Sequence, residues 1–319
     1  MSDSLVVLHA PRPGLRLVVA CVAELSRDAA RRHELVPGRA AALAQALAGT
    51  LLLVAAEDDA AAQEARIDVQ LECKGPLRGW LVDADGDGRV RGMVRVSNLD
   101  RAGRSPKRSG AASPAAGRFD SRALLASDGD EIGMLSILRR TPQAEGELHR
   151  TLVPFDGSDL AEGLNAFLRG DRLSAGEMAL EVLFGNAEPL AAVAGVLAAP
   201  FKGDGAPAAM ALSAALREGE LAQLLAQPGL AGNAHALAAR IGENYRFGPL
   251  QLASELRPRF SCRCSRERLV TALRSLGAPE LRDMADKDGG AEATCDFCAE
   301  SYVVSREELI VLAGSAERV

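Results

Sequence analysis

The sequence predicts an α+β protein: an N-terminal antiparallel-sheet domain with packed helices, a helical linker, and a small C-terminal module holding most of the cysteines. Three observations predict it. Short segments alternate apolar and polar residues between turn residues, as half-buried antiparallel strands require. The uncharged run Ala40–Ala56 spans 17 residues, the length of a helix and not of a strand. Four of the six cysteines fall within the 37 residues Cys262–Cys298.

Leu15–Leu25 (LRLVVACVAEL) reads as a strand from its β-branched content. A helix follows from about Pro37 to Ala62. Pro37 suits its first turn, where an N–H would be unpaired in any case. The apolar run inside it is Ala-rich and contains Gln45 and Thr50. A spanning helix needs roughly 20 strongly apolar residues, so a buried helix and no membrane are expected. Arg66–Cys73 sets Ile67, Val69 and Leu71 against Asp68, Gln70 and Glu72. Lys74-Gly75-Pro76 turns the chain, and Arg78–Val82 and Val90–Val96 complete a meander around Asp83–Gly88.

Arg101–Arg118 uses only Arg, Lys, Ala, Gly, Ser and Pro and carries five positive charges. It has no aromatic to stack on bases, so a surface loop is preferred to a nucleic-acid tail. Ile132–Leu138, Leu148–Val153 and Met178–Phe184 read as strands. Ser158–Leu168 reads as a helix with Ser158 as N-cap and Glu162 in its first turn. Pro200–Pro207 has the Pro and Gly density of a linker, and Ala208–Arg257 then reads as short helices cut by Gly and Pro: ALREGELAQLLAQ, AHALAARIGENY and PLQLASELRP. The expected organisation is 1–199, an N-terminal α+β domain; 200–257, a helical linker; and 258–319, the cysteine module.

The composition excludes several classes. With 48% hydrophobic and 25% charged residues the chain is not wholly disordered. Its 8 Phe, 2 Tyr and 1 Trp leave the core to aliphatic side chains. Six cysteines in 319 residues are too few for a secreted disulfide scaffold. The net charge of −6 does not attract nucleic acid or an anionic membrane. No basic stretch followed by an apolar one opens the chain, so no signal peptide is expected and a cytoplasmic location is.

The C-terminal module reads Cys262-Arg-Cys264, thirty residues, then Cys295-Asp-Phe-Cys298. Two close pairs separated by a helix-length insert are the spacing of a four-thiolate zinc site. His9, His33, His149 and His235 all lie upstream, so no histidine contributes locally. Ser265–Ser275 is expected to be a helix ended by Gly277, Pro279–Ala285 a second, and the segment after Ser305 a third, with Glu308 completing a capping box. So small a module needs metal to fold, with a contribution on the order of 10 kcal/mol.

A structural ribbon uses two or more residues inside each cysteine pair, whereas Cys262 and Cys264 enclose one. A disulfide between them would close a small, strained and reducible ring. Arg263, Arg266 and Arg268 favour the thiolate, which is the oxidisable form. The chemistry therefore permits a switch in which an oxidant removes the ligands and the module loses its fold.

FSCRCSRERLVTALRSLG and ELRDMADKDGGAEATCDFCAESYVVSREEL closely resemble the C-terminal module of the redox-regulated holdase chaperones, the heat-shock proteins of 33 kilodaltons. KGPLRGWLVDADGDGRVRGMV and LAEGLNAFL resemble that family's sheet and helix segments. The resemblance covers most of the chain and is strongest over Phe260–Leu309. It implies one zinc ion held by Cys262, Cys264, Cys295 and Cys298 in the reduced state, and disulfides Cys262–Cys264 and Cys295–Cys298 on oxidation. It further implies unfolding of a metastable linker, a homodimer, and ATP-independent capture of unfolded proteins. Departures are Arg101–Arg118, which looks inserted or replaced; Leu168–Met178, which lacks an expected Ser-Glu-Gln; and the Ala-rich Ala206–Arg257.

Other signals are weaker. Asp83-Ala-Asp85-Gly-Asp87-Gly88 mimics the start of a calcium loop, but Val94 stands where a bidentate Glu is needed, so a tight acidic hairpin is expected. Cys21 and Cys73 are expected to be buried inert thiols. None of Lys74, Lys107, Lys202 and Lys287 precedes Ser or Thr, which excludes a Walker A, and neither GxSxG nor HExxH occurs. These absences favour a binding protein over an enzyme. Two alternatives stand beside the holdase: a zinc-ribbon nucleic-acid binder, disfavoured by a charge of about −2 over Pro258–Val319, and a thiol oxidoreductase using Cys295 and Cys298. Leu212, Leu216, Leu221, Leu224 and Leu225 are candidates for a client surface, or equally for plain linker core.

Overall fold

A computed structural model describes residues 2–57, 64–95, 117–126, 132–140, 148–157, 159–170, 176–186, 188–201 and 205–316. Most of the basic segment Arg101–Arg118, the Ser158 cap and the middle of Leu168–Met178 lie outside these residues. The contacts divide the chain into two compact units, Met1–Ser261 and Cys262–Val319.

The first unit is built on two sheets. One has the strand order β10 (Gln251–Leu256), β1 (Ser4–Ala10), β2 (Leu15–Cys21), β9 (Ala192–Pro200), β8 (Glu177–Leu183), all antiparallel. The other has the order β11 (Arg259–Phe260), β5 (Arg89–Arg95), β4 (Gly79–Asp85), β3 (Arg66–Glu72), β6 (Gly133–Arg140), β7 (Leu148–Phe155), antiparallel except where β11 joins β5. Helices α1 (Ala23–Arg32) and α2 (Pro37–Ala55) follow β2. A short α3 (Arg122–Leu125) precedes β6, and α4 (Leu160–Gly170) follows β7. After β9 come α5 (Ala206–Ala215), a kinked turn Leu216–Glu220 with Gly219 at φ 126°, α6 (Leu221–Leu225) and α7 (Ala234–Asn244).

Helix α2 lies between the sheets and packs against β2, β8 and β9 on one side and β3, β4 and β5 on the other. Every residue of it except Pro37 and Arg39 is buried. That is why the run Ala40–Ala56 is apolar all round: a helix covered on every side has no polar face. By length and composition it could cross a membrane, but 94% of its apolar window is buried inside the protein. Close packing needs small residues, and a Cβ on Gly195 of β9 would sit 2.7 Å from Leu52.

The period-two alternation of the first sheet feeds two cores. Leu5, Val7, Val18 and Leu197 face α2. Val6, Leu8, Leu15, Leu17, Val19 and Val196 face α5–α7, whose Leu212, Leu216, Leu221, Leu224 and Leu225 are all buried there. In the second sheet β3 and β5 alternate as expected, whereas β4 between them is buried along most of its length.

Several boundaries differ from the sequence expectation. The strand begun at Leu15 ends at Cys21, and Ala23 starts α1, whose first amides are capped from afar: Asp3 accepts from Glu24 N–H at 2.9 Å and Leu25 N–H at 2.6 Å. PLQLASELRP was read as helical from its leucines, yet Gln251–Leu256 is β10, drawn straight by pairing with β1. Strands β1 and β9 carry no signal in the sequence, because both are buried along most of their length and so lack a clear period. Helix α4 starts at Leu160, with Asp159 Oδ1 accepting from Ala161 N–H at 3.1 Å.

The second unit comprises α8 (Arg266–Arg274), α9 (Ala278–Lys287), the hairpin β12 (Gly290–Thr294) with β13 (Ser301–Ser305), and α10 (Arg306–Ala316). Its buried core is eight residues, among them Leu273, Leu281, Val304 and Leu309. The capping box forms as predicted: Glu308 accepts from Ser305 N–H at 2.9 Å, and Ser305 Oγ accepts from Glu308 N–H at 3.3 Å.

Candidate metal centre

Cys262 and Cys264 stand just before α8, in backbone fixed by Ser265, whose Oγ accepts from Arg268 N–H at 3.3 Å. Cys295 and Cys298 occupy the tip of the β12–β13 hairpin. There Cys295 N–H donates to Glu300 O at 2.9 Å and Ala299 N–H to Cys295 O at 2.8 Å, with Ala299 in the left-handed region at φ 58°. Below the tip, Thr294 and Ser301 hydroxyls meet at 2.8 Å.

These elements bring all four sulfurs within 4.8 Å of one another. Cys262 Sγ lies 3.7 Å from Cys295 Sγ, and Cys264 Sγ 3.3 Å from Cys298 Sγ. A tetrahedron with arms of about 2.3 Å has edges of about 3.8 Å, so the arrangement fits one ion held by four thiolates. All six cysteines are free thiols. Burial pushes the Cys295 and Cys298 thiols up. Sulfurs this crowded do not ionise together without a compensating cation, and four thiolates are a donor set suited to a soft dication. Tyr302 adds a hydroxyl 3.1 Å from Cys264 Sγ, a contact that holds its own proton more tightly than usual. Its role was not foreseen; the signal was the aromatic just beyond the CxxC. Arg266, expected to favour the thiolates, pairs instead with Glu308 at 2.5 Å, and Arg268 donates to Arg263 O at 2.8 Å.

Residues 3–305 match the family profile described as Hsp33 protein. The chain belongs to the Hsp33 family. It is 31% identical over 319 residues to the 33 kDa chaperonin of Synechocystis, covering 100% of this chain and 98% of that one. Against the 33 kDa chaperonin of Thermus thermophilus it is 32% identical over 300 residues, covering 92% of this chain and 82% of that one. The fold is like that of the 33 kDa chaperonin homologue of Thermotoga maritima, with a TM-score of 0.70 at 20% identity and both chains fully covered. Membership of the Hsp33 family makes this a chaperone, a class that binds unfolded proteins.

Other candidate sites resolve against function. In this Hsp33 chain Asp83 and Asp85 end β4, and Gly88 (φ 83°) donates to Asp85 O at 3.0 Å in a tight turn. Asp83 pairs with Arg66 and Arg91, and Asp85 with Arg89, so no calcium loop forms. Cys21 is buried beneath Leu230, and burial pushes its thiol up to about 12. Burial also raises Cys73, which donates to Leu77 O at 2.6 Å. The five linker leucines do come together, against one face of the first sheet.

Proposed function

We propose that this protein is a redox-regulated, ATP-independent holdase. In the reduced state Cys262, Cys264, Cys295 and Cys298 hold one zinc ion, which supplies the charge that lets four thiolates stand together and ties the start of α8 to the β12–β13 tip. The observation that carries the reading is the meeting of four free sulfurs within 4.8 Å in a unit with an eight-residue core. A core that small does not hold a fold alone.

Under peroxide, each pair of thiols loses two electrons and two protons to form a disulfide, and each peroxide is reduced to two waters. Pairing Cys262 with Cys264 and Cys295 with Cys298 follows the family resemblance. The helices of the linker 200–257 would then loosen; they rest on the first sheet through the five leucines together with Leu230, Leu237, Ile241 and Phe247, without the ladder that pairs β10 to β1. Their departure uncovers Val6, Leu8, Leu15, Leu17 and Val19, a continuous aliphatic face suited to unfolded clients. We place the protein in the cytoplasm, whose reducing poise keeps the thiols free, and expect a homodimer when oxidised, with no nucleic acid and no membrane bound and no catalytic step.

The test is suppression of client aggregation before and after peroxide, with zinc release followed by a chromogenic chelator. Activity that appears together with release of one zinc per chain supports the reading. Equal activity in both states removes the switch. Disulfide-exchange turnover by zinc-loaded protein would favour an oxidoreductase, and micromolar nucleic-acid binding at physiological salt a zinc-ribbon binder.

A further inference from the structure

Helix α2 carries two polar side chains in its buried apolar run. Thr50 satisfies itself by donating to Ala46 O at 2.8 Å. Gln45 does not: it is 5% exposed, and its Oε1 has no hydrogen-bond partner among the described residues. An unpartnered buried acceptor is costly, and a leucine there would avoid that cost.

Gln45 lines an open cavity of about 400 Å³ walled by α2, β8, the start of α4, the stretch before α3 and the kinked turn at Arg217. The walls hold three arginines, 118, 122 and 217, against four carboxylates, 120, 159, 162 and 181, an excess of one negative charge. The arginines are engaged. Arg122 grips Asp120 at 2.8 and 2.9 Å, Arg118 bonds Glu181 at 2.8 Å and Arg217 O at 3.0 Å, and Arg217 bonds Glu162 at 2.6 Å. Asp159 has Arg217 only at 3.5 Å. Glu181 is 2% exposed, and burial pushes its carboxyl up against the pull of Arg118, so a further cation beside it is favourable.

We infer that this cavity is a binding site for a small organic cation bearing N–H donors, with Gln45 Oε1 accepting at its floor and Asp159 and Glu181 supplying the charge. The site wants donors, because its unsatisfied atom is an acceptor. It wants positive charge, because Asp159 keeps only a long contact to Arg217 and the buried Glu181 has one arginine against it. The leucine-lined side at Leu180 and the ring of Phe119 give an aliphatic stem somewhere to lie. None of this depends on the cysteines or on zinc.

The experiment is isothermal titration of the reduced, zinc-loaded full chain with putrescine, agmatine and choline at millimolar concentration. Saturable binding of putrescine or agmatine is expected, and which binds tighter identifies the head group as ammonium or guanidinium. Choline, which has charge but no N–H, is expected not to bind. Gln45→Leu should weaken the better ligand about tenfold, the worth of one charge-assisted hydrogen bond. Asp159→Asn keeps an acceptor for the Ala161 amide and so keeps α4, yet should also weaken binding several-fold. The proposal is overturned if neither amine saturates, leaving a cavity filled by water alone. Equal binding of choline, or unchanged affinity in Asp159→Asn, overturns it too.

Discussion

Arg217 Nη1 lies 2.6 Å from Glu162 Oε2, so the kinked turn between α5 and α6 is fastened by an ion pair to α4. Glu162 also bonds Arg169 at 2.8 Å, and Arg169 and Arg217 together hold its carboxyl below the ordinary 4.5. A depressed carboxylate contributes stability that is full above the unfolded value and is lost as pH falls through the folded one. Both side chains are about one-third exposed, so solvent limits the pair to about 1 kcal/mol or less. Hydrogen exchange over residues 206–225 should therefore quicken modestly in Glu162→Gln at neutral pH. In the wild type it should quicken only below about pH 4.5. Unchanged exchange in the variant would show that the leucines alone dock the turn.

Those leucines are the larger contribution. Leu221 is fully buried against the first sheet, as Leu43 is against the second. Either change to Ala should cost about 2–5 kcal/mol. The consequences should differ. Leu43→Ala lowers the melting midpoint of the whole first unit. Leu221→Ala frees the linker locally and raises binding of an apolar dye in the reduced protein. Equal dye binding by the two variants would contradict a separately detachable linker.

Removing metal should unfold the second unit alone. On chelation, amide signals of residues 262–316 should collapse to unfolded positions while those of α2 and the sheets persist. Cys298→Ser should lower zinc content below one per chain, because three thiolates do not close the tetrahedron. Retention of full zinc and ordered signals would remove these cysteines from the site.

The capping box makes a smaller, separable contribution. Ser305→Ala deletes the acceptor for the Glu308 amide at the start of α10. It should cost about 1 kcal/mol, read as a lower melting midpoint for the second unit at fixed zinc. No change would mean that the Arg266–Glu308 pair at 2.5 Å suffices to set the helix start.

Cys21 should stay silent to a thiol reagent in the folded protein. With its pKa pushed up to about 12, roughly one thiol in ten thousand is ionised at pH 8. Reaction of Cys21 after peroxide, detected by mass spectrometry, would report that α6 and α7 had lifted from the sheet.

The four-cysteine cluster is legible because its signal is local in type and spacing: two close cysteine pairs, flanked by a helix predicted from 265 and a capping box at 305. The half-buried strands β3 and β5 are legible for the same reason, since one wet face leaves alternation in the sequence. Elements buried on both faces leave no period. That is why β1 and β9 carry no signal; β10 is mostly exposed, and its leucines at 252 and 256, four residues apart, suit a helix until pairing with β1 makes the segment a strand.

By itself, then, the sequence determined the cysteine cluster and the aliphatic core. Tertiary structure alone decided which face of the first sheet the linker leucines cover, because that depends on strand register across residues far apart in the chain. It also decided that Gln45, one polar letter in an apolar run, opens onto a charged cavity. No local pattern encodes that, since its walls come from five segments that meet only on folding.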